Sequence, residues 1–163
     1  MSIFEIYCNP KQKQYIKYVK TLLEKFFKKK SYEYFRRDAG VVLLEISKKG
    51  LDKLLGYPAG DKIKNQSTIP DWIWASKLFI KSFLRGYFDT DGCVYITGEK
   101  YKIINYRSLD LTLLKDTKRA LEYLGFHPFI RPGNVELGRM FEIKRFYRII
   151  KPANLRHYRF DNI

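Results

Sequence analysis

The sequence predicts a mixed α+β fold, in which helices alternate with β-hairpins around a hydrophobic core. Hydrophobic residues make up 45% of the 163 residues and recur in some runs at helical spacing and in others at strand spacing. Turn residues separate these runs, and the order of helix and hairpin occurs twice. The length suits one compact domain of ordinary size.

The first half of the chain predicts a strand, a helix, a hairpin and a second helix. The strand alternates, and apolar residues at helical spacing mark the helix that follows it. The predicted elements are a strand at 2–8, a helix from Lys11 to about Lys29, strands at 31–37 and 41–47, and a helix from Lys48 to Leu55. Residues 56–70 are rich in Gly, Pro and Asn and predict a surface connection.

The second half predicts the same kinds of element in a longer order. The predicted elements are one bent helix or two helices at 71–91, a hairpin of 93–97 and 102–111, a helix at 113–124, a hairpin of 126–132 and 135–143, a helix at 145–150, and a basic tail at 154–160. Gly125 closes the second of these helical regions, and Pro152 stops the last.

An internal repeat relates the two halves. Each contains a helix, a hairpin, a tripeptide that begins with Glu-Ile, and a helix; the tripeptides are Glu45-Ile46-Ser47 and Glu142-Ile143-Lys144. The first copy lacks the helix that precedes the second copy. The predicted domains are an N-terminal half at 1–56 without its own leading helix, a connecting segment at 57–70, and a second half at 71–163.

The charge of the chain favours a polyanionic partner. Lys and Arg number 32 against 17 Asp and Glu, which gives a net charge of +15 and a sequence pI near 9.8. No run approaches the roughly 18 apolar residues that span a bilayer, so nucleic acid is favoured over a membrane. With no secretory signal at the start of the sequence, we expect action in the cytoplasm. A soluble basic protein without such a partner is the alternative.

The segment FLRGYFDTDG carries the strongest indication of chemistry. Gly86 falls inside the predicted helix, where glycine costs about 1 kcal/mol relative to alanine, so close approach of another helix is its natural explanation. Asp89 and Asp91 lie at the carboxyl end of that helix, whose partial negative charge repels them. A divalent cation such as Mg²⁺ would compensate this repulsion. The alternative is that residues 89–92 only end a helix and open a turn.

The stretch from Ile69 to Ile96 resembles the signature of LAGLIDADG homing endonucleases. Residues 84–92, LRGYFDTDG, keep Leu84, Gly86, Asp89, Asp91 and Gly92 of the nine-residue motif and place Arg85 at its second position. The resemblance implies a motif helix, followed by repeated β-hairpin and helix units with an antiparallel sheet that binds DNA. It also implies a phosphodiester hydrolase that cuts both strands of duplex DNA with Mg²⁺, for which Mn²⁺ is an alternative.

The resemblance carries functional roles to matching positions. Asp91 is the implied metal-binding and catalytic acid, with the Thr90 carbonyl beside it, and Asp89 is ranked second among the acids. Lys144 is expected where the last strand meets the final helix, near the phosphate that is cut. The DNA contacts expected on the strands are Lys102, Asn105, Arg107, Arg131, Asn134 and Arg139.

The chain holds one intact motif, whereas cutting two strands requires two acids. We therefore expect a homodimer through the motif helices, although a different chain that carries a motif is an alternative. The chain is interpreted as a free-standing, intron-encoded protein. Two other functions remain open: a non-cleaving binder on the same scaffold, such as an intron RNA maturase or a transcription regulator, and a general basic RNA-binding protein.

Overall fold

The computed structural model describes residues 2–56, 68–98 and 101–158. The chain divides into two compact units, each with its own hydrophobic core. The first unit contains residues 1–55 and 153–156, and the second contains residues 56–152 and 157–163. Most of the connection expected at 57–70 lies outside the described residues, so the predicted domain boundaries remain a prediction.

The first unit is a three-stranded antiparallel sheet with helices. Its elements are β1 (Ser2–Cys8), α1 (Lys13–Phe27), β2 (Tyr32–Arg36), β3 (Val41–Lys48) and α2 (Leu51–Leu55). The strand order is β1-β3-β2. The apolar stripe of α1 and one face of the sheet form the core. Residues 153–156 also belong to this unit, and Asn154 Nδ2 donates a hydrogen bond to Gln12 Oε1 (3.1 Å).

The second unit is a four-stranded antiparallel sheet with helices. Its elements are α3 (Asp71–Trp74), α4 (Lys77–Asp91), β4 (Cys93–Thr97), β5 (Tyr101–Arg107), α5 (Leu111–Tyr123), β6 (Phe129–Arg131), β7 (Asn134–Leu137) and α6 (Met140–Ile150). The strand order is β4-β5-β7-β6. Side-chain caps start two of the helices: Ser76 accepts from the Leu78 amide, and Asp110 accepts from the amides of Thr112 and Leu113.

One face of this sheet is buried by α4, α5 and α6. Ile104 pairs with Leu137 and Tyr106 with Val135, so these four side chains share that face, and all are fully buried. Leu84, Leu121 and Phe146 bring the three helices into the same core. Within residues 68–98 and 101–158, none of these three helices packs on the opposite face, so they leave it uncovered. The predicted mixed α+β class, with helices and antiparallel sheets, is confirmed.

The order of elements confirms the internal repeat. The segment β1-α1-β2-β3-α2 follows the same order as β5-α5-β6-β7-α6, and the sheet arrangement β1-β3-β2 matches β5-β7-β6. Counterparts of α4 and β4 are absent from residues 2–56. The matched tripeptides were misaligned, however, because residues 45–47 lie in strand β3 whereas residues 142–144 lie in helix α6.

Two predicted boundaries in the second unit are wrong. Residues 140–143 begin helix α6 and do not extend the second hairpin, because Ile143, Phe146 and Ile150 are buried at helical spacing. Strand β5 ends at Arg107, and residues 108–110 turn the chain into α5 with Asp110 as its cap. The predicted helix at 71–91 is two helices, and α1 is shorter than predicted by two residues at each end. In the described ranges, no helix is long and apolar enough to cross a membrane.

Candidate metal and nucleic-acid site

Helix α4 presents the acidic end of the motif and is fixed firmly to the sheet. Ile80, Leu84 and Phe88 are buried on its inner side, at spacings of four residues. Two tyrosine hydroxyls reinforce this packing. Tyr106 donates from β5 to the Leu84 carbonyl (3.1 Å), and Tyr87 donates to the Arg107 carbonyl (2.9 Å). The helix therefore holds its last turn in a defined place on the unit.

The two aspartates of the motif lie in different environments. Asp89 is buried, with 2% of its surface exposed, and faces the core beside Tyr106. Burial raises the pKa of the Tyr106 hydroxyl well above its usual value, and the negative charge of Asp89 adds to this rise. Asp91 is exposed. Of the two carboxylates, Asp91 is the one that solvent, a cation or a phosphate can reach.

Thr90 shapes the surroundings of the Asp91 carboxylate. Its hydroxyl lies 2.9 Å from Asp91 Oδ2 and 3.2 Å from the carbonyl oxygens of Gly86 and Tyr87. The hydroxyl thus tethers the carboxylate to the last turn of α4. Carbonyl groups of that turn also point toward the carboxyl end of the helix, so the region concentrates oxygen atoms that carry negative charge.

The outer side of α4 is lined by small residues. Ser82, Gly86 and Thr90 are exposed and follow one another at spacings of four residues. A Cβ atom placed on Gly86 would meet nothing within 4 Å, so the space beside it is open. Gly86 is therefore not required for packing within the described part of the chain. Its small size leaves the outer side of α4 accessible to a second helix.

Gly92 ends the helix for a different reason. Its amide donates to the Phe88 carbonyl (3.0 Å), and a Cβ atom would lie only 2.2 Å from Phe88 Cδ2 and 2.7 Å from that carbonyl oxygen. Only glycine fits there without displacing Phe88. The turn that carries Asp91 into β4 therefore depends on this glycine.

Arg85 departs from the family motif and has a structural role here. Its Nε donates to the carbonyl of Ile150, the last residue of α6 (2.7 Å). A cation at this position satisfies a carbonyl at a helix end and favours the negative end of the helix dipole. The substitution in the motif thus connects α4 to α6 and leaves Asp91 exposed.

The uncovered face of the sheet brings four of the expected DNA contacts together. Strand register places Arg107, Asn134 and Arg131 in one row across β5, β7 and β6, and Asn105 and Glu136 in the next row. Neighbouring strands are about 4.8 Å apart, so the two arginines stand about 10 Å from each other, within the roughly 12 Å width of a major groove. Arg107 and Arg131 are exposed.

A buried carboxylate lies among these basic and amide side chains. Glu136 accepts a hydrogen bond from the Tyr95 hydroxyl at Oε1 (2.9 Å) and from Arg131 Nε at Oε2 (3.0 Å). In the same rows, Asn105 Nδ2 donates to Asn134 Oδ1 (3.0 Å). Sequence reasoning missed Glu136. The alternation Val135-Glu136-Leu137 places it on the outer face, but its partners come from strands that are distant in sequence.

Two of the expected sites lie elsewhere than predicted. Lys102 pairs with Ile96 and shares the helix-covered side of β5 with Ile104, so it does not stand with the other DNA candidates. Lys144 lies inside α6 and is exposed there, so the expectation that it marks the strand-to-helix junction is wrong. Arg139 occupies that junction as the exposed residue before α6.

The acidic residues of the described ranges do not form a complete metal cage. No group of three or more His, Cys, Asp or Glu side chains comes together there. Asp91, the Thr90 carbonyl and water are hard oxygen donors of the kind that Mg²⁺ and Mn²⁺ prefer. Mg²⁺ in particular is commonly held by one or two carboxylates together with waters and substrate phosphates. The donor set therefore fits a cation whose coordination shell is completed by the phosphates of a bound nucleic acid.

An antiparallel sheet under three helices, with an exposed acid at the end of one of them, matches what the motif predicted. Comparison with known families agrees, because residues 79–158 match the family model of the LAGLIDADG-like domain. The match extends from α4 through both hairpins, α5 and α6. The predicted resemblance to the LAGLIDADG family is thus confirmed for residues 79–158. No curated protein matches the chain.

Members of this family bind DNA and are generally nucleases that use divalent metal ions. The family thus supports the coarse expectation of a DNA-binding protein.

Proposed function

We propose that the chain is a site-specific homing endonuclease that binds duplex DNA and hydrolyses a phosphodiester on each strand. The observation that carries the proposal is the exposure of Asp91 at the end of α4, within a LAGLIDADG-like domain. The contrast with buried Asp89 separates one acid that can meet substrate from one that lies in the core.

In this proposal Asp91 and the Thr90 carbonyl would hold a divalent ion, Mg²⁺ or Mn²⁺. When bound, such an ion supplies Lewis-acid stabilisation of phosphate charge and lowers the pKa of water. Asp91 orients this centre, with its carboxylate tethered by the Thr90 hydroxyl. Lys144 is exposed on α6 and not at the strand-to-helix junction, so its role in stabilising the extra phosphate charge stays a prediction that rests on the family resemblance.

The outer face of the second sheet is the proposed DNA surface. Arg107 and Arg131 supply exposed cations, and Asn134 supplies an amide between them. Arg139 extends the basic surface at the start of α6. Base edges in a major groove offer the acceptors and donors that Arg and Asn recognise. Lys102 and Asn105 are less suited to direct contact with DNA. Lys102 lies on the helix-covered side of the sheet, and Asn105 is buried.

A homodimer through the outer sides of two α4 helices would supply the second acid. Ser82, Gly86 and Thr90 form a small-residue stripe on which another helix can pack closely. Two such helices related by a two-fold axis would bring their Asp91 carboxylates to the same end of the interface. A different chain that carries a motif could occupy the same stripe. Origin within an intron and action in the cytoplasm remain predictions.

Cleavage of a randomised duplex library with Mg²⁺ tests this function. Asp91→Asn keeps the size of the side chain and removes its charge, whereas Asp71→Asn makes the same change at an exposed acid on α3. We expect wild type and Asp71→Asn to cut a narrow set of long sites, and Asp91→Asn to bind them without cutting. Absence of cleavage by the wild type with either Mg²⁺ or Mn²⁺ overturns the proposal.

A non-cleaving nucleic-acid binder, such as a maturase, is the second candidate, favoured by the first unit. The outer face of its sheet presents the exposed side chains of Tyr7, Tyr32 and Tyr34. Exposed aromatic rings on a sheet stack unpaired bases, as in many RNA-binding proteins. Tight binding of structured intron RNA, combined with no cleavage of any duplex, would favour this function over the endonuclease. A general basic RNA-binding protein would show no sequence preference.

A further inference from the structure

A carboxylate in the middle of a basic surface needs an explanation. Glu136 lies on the outer face of the second sheet, between Asn105 on β5 and Phe129 on β6. Duplex DNA carries one negative charge for about every 1.7 Å of its axis, so an acidic group on a surface that binds it weakens the attraction. Glu136 is therefore unsuited to holding the DNA backbone.

The hydrogen bonds of Glu136 indicate a different purpose. Its two oxygens are occupied separately, Oε1 by the Tyr95 hydroxyl and Oε2 by Arg131 Nε. The carboxylate is largely buried, whereas 69% of the Arg131 side chain remains exposed. The contact thus fixes the inner edge of the guanidinium group, while most of the arginine faces outward.

The rest of the guanidinium group is available for recognition. Within the part of the chain that the structure describes, hydrogen bonding by Arg131 is confined to its Nε. Its terminal amino groups form a planar fork that matches the O6 and N7 acceptors of guanine. An arginine held at Nε loses less conformational freedom when it binds than a freely rotating side chain does.

The cross-strand neighbour of this arginine is also held in place. Asn134, directly opposite Arg131 across the hairpin, accepts from Asn105 Nδ2 and donates to the Pro132 carbonyl (2.9 Å). Both functional groups of the Asn134 side chain are thus engaged within the protein. The polar surface is arranged before any ligand binds, which favours reading of a defined base pair over adaptable contact with phosphates.

We propose that Glu136 is a positioning residue that aims Arg131 at a guanine in the major groove and so determines specificity at one base pair. This inference rests on the proposed binding of duplex DNA by the same sheet. It assigns Glu136 an effect on base preference and none on the cleavage chemistry.

The test is equilibrium binding to a library of duplexes derived from a site that the wild type selects. Glu136→Gln keeps the size of the side chain and removes the charge that holds Arg131. Arg131→Lys keeps the charge and removes the planar fork. Glu45→Gln is the matched control, because Glu45 is a carboxylate on the outer face of the other sheet. Thermal melting confirms that each variant is folded.

We expect Glu136→Gln to reduce discrimination at one base pair by about 5- to 150-fold, the range of one good bidentate contact. Affinity for unrelated duplexes should stay equal or increase, since a negative charge is lost. Arg131→Lys should lose preference at the same base pair. The double variant should lose no more than either single variant, because the two side chains act as one unit. Glu45→Gln should keep the wild-type preference.

The results separate this inference from the proposed function. A wild type that binds no duplex, or binds without sequence preference, overturns both. A selective wild type whose preferences survive in Glu136→Gln at every position overturns only the role of Glu136. If Glu136→Gln does not fold, Glu136→Asp replaces it. The shorter carboxylate falls short of Arg131 Nε, so we expect the same loss at the same base pair, and unchanged preference would refute the role.

Discussion

Gly86 and Gly92 lie six residues apart in the same motif, and replacing each by alanine should change stability in opposite directions. At Gly92 the added Cβ would lie 2.2 Å from the Phe88 ring and 2.7 Å from the Phe88 carbonyl oxygen. Phe88 is fully buried and packs against Phe146 with ring centres 4.9 Å apart, so its ring has little room to move. Overpacking of this kind costs about 1–3 kcal/mol, and weakening the hydrogen bond from the Gly92 amide adds about 1 kcal/mol.

Gly92→Ala should therefore lower the free energy of unfolding by about 2–4 kcal/mol. At Gly86 the added methyl group meets open space, and alanine in a helix is favoured over glycine by about 0.5–1 kcal/mol. Gly86→Ala should therefore stabilise the isolated chain by about that amount. The difference between the two variants should reach about 2.5–5 kcal/mol, which corresponds to about 10 °C or more in Tm for a unit of this size.

Urea unfolding followed by tryptophan fluorescence measures this difference in the relevant unit. The chain has two tryptophans, Trp72 and Trp74, and both lie in the second unit with the motif. Dilute protein keeps self-association out of the measurement. Equal midpoints for Gly92→Ala and wild type would refute the packing argument. Destabilisation by Gly86→Ala would show that the outer side of α4 is not open in the isolated chain.

Three further predictions concern the same unit. Gly86→Leu should leave the chain folded but weaken its self-association on DNA, as measured by sedimentation, and an unchanged dimer would exclude α4 as the interface. Asp110→Ala removes the cap of α5 and should cost about 1 kcal/mol of unfolding free energy; an unchanged urea midpoint would contradict this role. Tyr106 has a pKa raised by burial, so its contribution to stability is present below its usual pKa of about 10 and declines as the unfolded state ionises above that pH. The stability gap between wild type and Tyr106→Phe should therefore narrow above pH 10, and a constant gap would contradict the assignment.

Much of the fold could be predicted because the spacing of apolar residues along the chain follows which side chains are buried. The strand at residues 2–8 was predicted closely, since its side chains alternate between exposed and more buried positions. The hairpin that follows α1 was predicted closely as well, and its strands are Tyr32–Arg36 and Val41–Lys48. The segment at 140–143 was predicted wrongly because four residues are too few to distinguish the two-residue period of a strand from the 3.6-residue period of a helix. Only the continuation to Phe146 and Ile150 shows that the apolar spacing is helical.

The candidate site was predictable only in part. The motif identified Asp91 as the acid to test, and the structure shows it exposed at the end of a well-packed helix. The side of the sheet on which Lys102 lies could have been read from its alternation with Ile104 and Tyr106. The hydrogen-bond partners of Glu136 could not be predicted from the sequence, since Tyr95 and Arg131 belong to other strands and are brought beside Glu136 by the register of the sheet.

The return of residues 153–156 to the first unit has a consequence for how the chain acquires its structure during synthesis. Asn154 lies 142 positions from its hydrogen-bond partner Gln12. The first unit is therefore synthesised early but gains these last contacts only after residue 156 has left the ribosome. Until then Gln12 and its neighbours lack these partners, whereas the second unit is already synthesised as far as residue 152 and lacks only residues 157–163. A ribosome stalled before this point would hold an early unit that is still incomplete.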